Sequence, residues 1–334
     1  MPGLRKIFCA AAVAVVLTAA AASAWQADVL GDGFEMRHID QGTDYSGPVR
    51  STVVRLRTGE PLGRGVLYIH GFNDYFFQDE MARRFAAEGY DFYAVDLRKY
   101  GRSLLEGQIP FQVRDLKEYF ADIDSAIAVM KSDGVRDIVL IGHSAGGLTA
   151  SLYMAAEPDT AVTALVLNSP FLDWNQSAFQ EKFLIPAVAT LGPLIKGMKI
   201  PQGASTAYAR SLLKRYGGEW TYNTDWKLEQ SPAVEASWIA AIDNGQARVQ
   251  NYPGINVPIL LMHSDSTVTS HDAPEAYSRK DAVLDVADIS RYGRRLGCDV
   301  TEFTVHGALH DVVLSRPEVR YPLYDSIFSW LARR

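Results

Sequence analysis

Cysteine is nearly absent from this chain of 334 residues: there are two, and only Cys298 lies beyond the first 24 residues. No internal disulfide can therefore brace the mature protein, even in an oxidising compartment, so its stability has to come from core burial. Basic charge is also short, with 33 Lys and Arg against 39 Asp and Glu. Such a chain has no cationic surplus to neutralise phosphates, and no nucleic-acid partner is expected. Repeats, low-complexity tracts and an HExxH pattern are missing as well. No metal and no cofactor is expected. What is there, 48% hydrophobic and 11% aromatic residues, is the composition of an ordinary globular protein.

The one long apolar run is at the start. Arg5 and Lys6 precede an almost wholly apolar stretch from Ile7 to Ala22, and Ala22-Ser23-Ala24 has the small-residue pattern of a cleavage site. Residues 1–24 are read as a secretory signal peptide rather than an anchor, because the stretch is short and Ala-rich for a span. The protein is then exported, to the periplasm or beyond the cell, and the mature domain is 25–334. Removing the leader leaves 31 basic against 39 acidic residues, net −8.

Beyond the leader, β-like runs alternate with helical stretches. The runs are Ser51 to Arg57, Gly65 to Ile69, Tyr90 to Leu97, Asp137 to Ile141, Ala161 to Asn168, Val257 to Met262 and Val300 to Val305. This alternation predicts an α/β fold with a mostly parallel sheet flanked by helices. From Asp115 to Lys131, apolar Leu116, Phe120, Ile123, Ile127 and Met130 recur at helical spacing. Between Phe171 and Gly254 no strand is convincing, and Trp174, Trp220, Trp226 and Trp238 are concentrated there. The interval is read as a helical cap, 171–254, inserted after one strand. Leu184, Val188, Leu191, Ile195 and Met198 form a stripe expected to pack on the core, with Pro186 and Pro193 shortening any helix. Lys182, Lys196 and Lys199 exclude a comfortable transmembrane reading.

Gly142-His143-Ser144-Ala145-Gly146 carries the chemistry. It reads GxSxG, follows the apolar run Asp137 to Ile141, and opens a helical stretch from Gly147 to Glu157. In that context the serine sits on a sharp strand-to-helix turn with its hydroxyl raised above the sheet, the setting of a nucleophile. Acyl transfer also needs a base, an acid to orient the base, and donors for an oxyanion. His310, in Gly307-Ala-Leu-His310-Asp311, follows the last strand in a loop and is the candidate base. His306 lies at the strand end, where it would shape the turn. The backbone N–H groups of Phe72, after His70-Gly71, and of Ala145 are the candidate oxyanion donors.

With these residues in place the chain resembles the α/β-hydrolase superfamily, and within it the monoacylglycerol lipase and lysophospholipase-like branch, also described as serine aminopeptidase-like. The resemblance spans about residues 50 to 334. It rests on His70-Gly71-Phe72, Asp96-Leu-Arg-Lys-Tyr-Gly-Arg-Ser103, Gly142 to Gly147 and Gly307 to Asp311. Lys99 stands where that family usually carries glycine, which leaves the shape of its loop open. The family's acid follows the strand matched by Val257 to Met262, but its position here holds Thr267. An insertion of about fourteen residues, Thr267 to Lys280, would bring Asp281-Ala-Val-Leu into the family's register. Asp281 is therefore taken as the acid, Asp265 as the alternative and Asp285 third.

The resemblance implies an exported serine hydrolase that cleaves carboxylic esters of monoacylglycerol, lysophospholipid-like or other apolar-acyl type through an acyl-enzyme. Ser144 would attack, His310 carry the proton and Asp281 orient the imidazole. The expected partner is a small ester or lipid, with transient contact of the cap on a lipid surface and no obligate protein partner. Two other readings stand beside it. One is a serine aminopeptidase for short peptides, with Asp173, Glu181 or Glu235 holding the substrate ammonium. The other is a binding protein that keeps the fold without chemistry.

Overall fold

The computed structural model describes residues 24–334 except 60–61, 157, 196, 204 and 252–253. The expected leader, apart from Ala24, lies outside the described residues, as do Glu157 and Lys196. No described helix is long and apolar enough to cross a membrane.

Strands β1 (Gln26–Ala27), β2 (Phe34–Asp44), β3 (Gly47–Leu56), β4 (Arg64–Ile69), β5 (Asp91–Asp96), β6 (Asp137–His143) and β7 (Val162–Asn168) precede the cap. A short ribbon, β8 (Lys199–Ile200) with β9 (Val234–Glu235), lies within it, and β10 (Ile259–Ser264) and β11 (Val300–Val305) follow. Nine of these form one sheet in the order β1-β2-β3-β5-β4-β6-β7-β10-β11. From β5 onward every pairing is parallel, while β1, β2 and β3 add antiparallel strands at one edge. The central strands are buried on both faces because their residues alternate between two apolar layers. Leu67 and Ile69 of β4 enter one layer, and Val66 and Tyr68 the other. Ligand sites in such sheets lie beyond the carboxyl ends of the strands, which is where the loops after β4, β6, β10 and β11 converge.

The expected helix after Asp115 begins as a 3₁₀ turn, Leu116–Tyr119, and continues as an α-helix, Phe120–Ser132. Asp115 and Glu118 close it with a reciprocal capping box. Two features differ from the sequence reading. Strand β2 is present although Phe34–Asp44 carries five charged or imidazole side chains, because it lies near the sheet edge and is mostly half-buried. The cap also contains the two-residue ribbon where no strand was expected.

The loop after β5 accommodates Lys99 by an unexpected route. Lys99 has φ +66°, so it adopts the left-handed turn a glycine would make there. Its side chain is fully buried, with Nζ 2.6 Å from Asp44 Oδ2 and 4.2 Å from the Tyr45 ring centroid. Burial pushes the Asp44 carboxyl up, but the hydrogen bonds from Lys99 and Ser46 outweigh it and hold the group below its ordinary value. Lys99→Gly would relieve about 1–2 kcal/mol of backbone strain. It would also remove the cation of a largely buried pair, a loss of about 3–5 kcal/mol. The expected net result is about 2 kcal/mol of destabilisation, seen as a melting temperature lower by about 3 °C. An equal or higher melting temperature would contradict this account of the loop.

Candidate active site

Ser144 follows β6 directly and opens the helix Ala145–Ala156. Its φ is +53°, a strained value for a residue with a side chain. Backbone contacts hold it there, among them the N–H that Leu148 donates to its carbonyl (3.1 Å). Its N–H donates to Asn168 O at the end of β7 (3.0 Å), and its carbonyl accepts from Gly147 N (2.9 Å) and from Phe171 N (3.0 Å). The flanking glycines are required by close approach. A Cβ on Gly142 would lie 2.7 Å from Gly146 O, and one on Gly146 only 2.3 Å from His70 O. The elbow is therefore wedged against the loop that leaves β4.

His70 fastens that loop. Leu97 N–H donates to His70 Nε2 (3.1 Å), so the ring proton is on Nδ1, which donates to Gly71 O (2.8 Å). The sequence reading missed this role for His70, which orients the Gly71–Phe72 peptide beside Ser144. Ala145 is the first residue of its helix, where N–H groups have no intrahelical acceptor. The Phe72 and Ala145 amides thus stand on the two segments that meet at Ser144.

His310 lies in the loop between β11 and the short turn Val312–Leu314. It is buried, and its Nδ1 is 2.8 Å from Asp281 Oδ2. Asp281 is fully buried, and its other oxygen accepts the N–H groups of Val283 and Leu284, both at 2.8 Å. This double acceptance leaves Oδ2 for the imidazole. The segment after β10 departs at Thr267 and returns at Asp281. The two residues form a parallel bridge, with Val268 N donating to Asp281 O (2.7 Å) and Asp281 N to Ser266 O (2.8 Å). Thr267 also bonds Leu284 O and Val286 N through its hydroxyl.

Asp265 is engaged elsewhere. It accepts from His306 Nδ1 (3.0 Å) and Gly307 N (3.2 Å) at the surface. Burial pushes its carboxyl up, but these hydrogen bonds outweigh that and hold it below its usual range. Asp285 caps the helix Val286–Gly293. Beside His310, at 4.9 Å between ring centroids, lies His143, whose burial outweighs the opposing pull of Asp311 and lowers its pKa below the ordinary imidazole value.

Ser144 and His310 share the wall of one cavity of about 350 Å³. Phe171, Trp174 and Trp238, with ring centroids 5.0 Å (Phe171–Trp174) and 6.3 Å (Trp174–Trp238) apart, form an aromatic part of its lining. Asn73, Asp74 and Lys227, the last two joined in an ion pair, are a polar part of the same lining. Asp173, Glu181 and Glu235, the carboxylates considered for a substrate ammonium, do not line it; Glu235 accepts from Gln112 (2.6 Å) beside a different cavity. The cap's apolar stripe is not buried as expected. Leu184, Leu191 and Ile195 are about half or more exposed, whereas Ile185 is buried and Val188 packs on the core. Val188 thus packs inward as expected, but the inward face of the helix Ile185–Leu191 is completed by Ile185 rather than by Leu184 and Leu191. It continues to Gly192, where a Cβ would lie 2.4 Å from Ala236 Cβ. Among the described residues, no group of three or more His, Cys, Asp or Glu is placed to hold a metal ion.

The family model for serine aminopeptidase, S33, matches residues 62–315. The monoacylglycerol lipase of Mycolicibacterium smegmatis is 25% identical over 271 residues, covering 80% of this chain and 88% of that protein. The monoglyceride lipase homolog of Monkeypox virus is 23% identical over 258 residues, 77% of this chain and 84% of that one. Among solved structures, a soluble variant of the Saccharomyces cerevisiae monoglyceride lipase aligns with a TM-score of 0.66 at 17% identity. The alignment covers 93% of this chain and 98% of that one. A thermostable carboxyl esterase from Bacillus coagulans aligns with a TM-score of 0.61 at 15% identity, covering 89% and 98%.

Proposed function

For a chain that belongs to the serine aminopeptidase S33 family of α/β-hydrolases, with monoacylglycerol lipases among its relatives, we propose the role of an exported serine hydrolase acting on carboxylic esters with apolar acyl chains. The observation that carries this reading is the 2.8 Å contact of His310 with a fully buried Asp281 at the cavity that Ser144 lines. Ser144 Oγ attacks the ester carbonyl as His310 Nε2 takes its proton. The oxyanion accepts from the Phe72 and Ala145 N–H groups, an arrangement in which one donor contributes about 3 to 4 kcal/mol. Collapse returns the proton to the departing alcohol and leaves an acyl-serine. Water, activated by the same imidazole, then releases the acid.

The aromatic part of the cavity lining suits an acyl chain. Phe179, Phe183, Leu191 and Leu194 on the outer surface of the cap are each more than half exposed, and they support transient contact with a lipid surface. A series of p-nitrophenyl esters of graded chain length, run beside aminoacyl amides, tests the substrate class. Turnover should rise from acetate towards medium acyl chains and be negligible for the amides. Preference for aminoacyl amides would overturn the esterase reading.

Export is part of the proposal. Trp25, the first residue after the proposed cleavage site, already packs under the Arg55 guanidinium, 3.6 Å from its ring centroid. Asp28 is buried against Arg102 through two hydrogen bonds of 2.6 and 2.8 Å. The described fold therefore already includes the residues that follow the proposed cleavage site. Mass spectrometry of protein recovered from outside the cytoplasm should give an N-terminus at Trp25. A soluble cytoplasmic product that retains Met1 would refute export.

A further inference from the structure

Lys227 and Asp74 meet in the polar part of the catalytic cavity's lining although they are 153 residues apart in the chain. Lys227 belongs to the cap and is fixed through its neighbour. Asn73 Nδ2 donates to Leu228 O (2.9 Å) and Leu228 N donates to Asn73 Oδ1 (2.9 Å). Asn73 has φ +50°, so this clamp holds a strained turn of the loop that also carries Phe72. Lys227 Nζ donates to Asp74 Oδ1 at 3.0 Å. An ammonium has three donors; Lys227 Nζ also lies 5.6 Å from the Phe77 ring centroid and 5.8 Å from that of Tyr222, and among the described residues Asp74 alone gives it a hydrogen-bond acceptor. The second carboxylate oxygen, Asp74 Oδ2, is buried without a hydrogen-bond partner. Buried polar groups ordinarily find partners, and this pair leaves capacity beside the nucleophile.

The charge around the cavity narrows what can use that capacity. Its walls hold two carboxylates other than those already placed, Asp74 and Glu229. Asp74 is paired with Lys227 and Glu229 with Arg215. A phosphate or carboxylate head group would approach two carboxylates whose cations are already engaged. A quaternary ammonium would find no carboxylate free of its own cation. An uncharged head group that both accepts and donates hydrogen bonds meets neither penalty, and an alcohol hydroxyl does both. The aromatic part of the lining formed by Phe171, Trp174 and Trp238 is left for the acyl chain.

Resting on the ester-hydrolase reading above, we propose that Lys227, oriented by Asp74, determines specificity for the leaving alcohol by donating a hydrogen bond to a free hydroxyl of an uncharged polyol head group. The test compares two esters of one acid, monolauroylglycerol and propyl laurate, which differ only in the hydroxyls. In Lys227→Met the ratio of kcat/KM for the glycerol ester to that for the propyl ester falls about tenfold or more, the effect of losing a hydrogen bond to a charged group. The double variant Lys227→Met/Asp74→Asn, which leaves no unpaired buried carboxylate, is run beside it and shows the same fall if the single variant folds poorly. A merely structural lysine would lower both rates and leave the ratio within twofold of wild type, and that result overturns the proposal. Wild-type protein that hydrolyses neither ester overturns the ester-hydrolase reading itself, and the head-group assignment with it.

Discussion

Asp281→Asn should yield a folded protein whose kcat on an ester at neutral pH is lower by about four orders of magnitude. The reason lies in how the carboxylate is shared. One oxygen of Asp281 accepts two backbone N–H groups and the other faces His310 Nδ1. An asparagine must keep its carbonyl oxygen on the two amides, since its NH₂ cannot accept from them. The NH₂ then points at Nδ1, which has to become an acceptor, and the imidazole proton moves to Nε2. That is the tautomer that cannot take a proton from Ser144. Asp265→Asn and Asp285→Asn serve as controls, because Asp265 holds the exposed His306 and Asp285 caps a helix, where asparagine serves equally well. Rates within about threefold of wild type are expected for both. A larger loss from Asp265→Asn than from Asp281→Asn would show that Asp265 orients the base.

Ser144→Ala should abolish ester hydrolysis while changing thermal stability little. The strained backbone at Ser144 is held by contacts to Asn168, Gly147, Leu148 and Phe171 that involve only main-chain atoms, and alanine keeps all four. The cost in the left-handed region is similar for both residues, so an unfolding free energy within about 0.5 kcal/mol of wild type is expected. Adding His310→Ala to this background should remove little more activity, because residues that act as one unit lose their effect together. Substantial turnover by purified Ser144→Ala, or an independent further loss on adding His310→Ala, would contradict the serine mechanism.

The elbow was readable in the sequence because it is local: a strand, a glycine-flanked serine and a helix follow one another within about twenty residues, and each imposes its own composition. The pairing of Asp281 with His310 was legible only through the family resemblance, by matching Asp281-Ala-Val-Leu to the register of that family's acid. The loop that separates Thr267 from Asp281 leaves and returns at one bridge, so the register on either side continues as if the loop were absent. Contacts set by three-dimensional closure left no comparable trace. Nothing in the composition around Lys227 announces Asp74, and the Asn73 clamp on Leu228 joins residues 155 apart. The cap's helical pattern held at Val188 but not at its neighbours, since a helix of 7 residues offers too few turns for periodicity to favour Ile185 over Leu184 and Leu191 as its other inward positions. Strand β2 was missed for a related reason. At a half-exposed edge, alternation between Phe34, Met36 and their charged neighbours is weak. Lys99 shows the limit of residue type as a guide to backbone, because a buried ion pair let a lysine occupy a turn that its identity argued against.

The central claim is that Ser144 is the nucleophile of an acyl-transfer site, and covalent trapping tests it most directly. Protein treated with a fluorophosphonate, digested and mapped by mass spectrometry should carry one adduct, on the peptide containing Ser144. No adduct should form on Ser144→Ala. An unlabelled wild-type protein, or an adduct on another residue, would contradict the account.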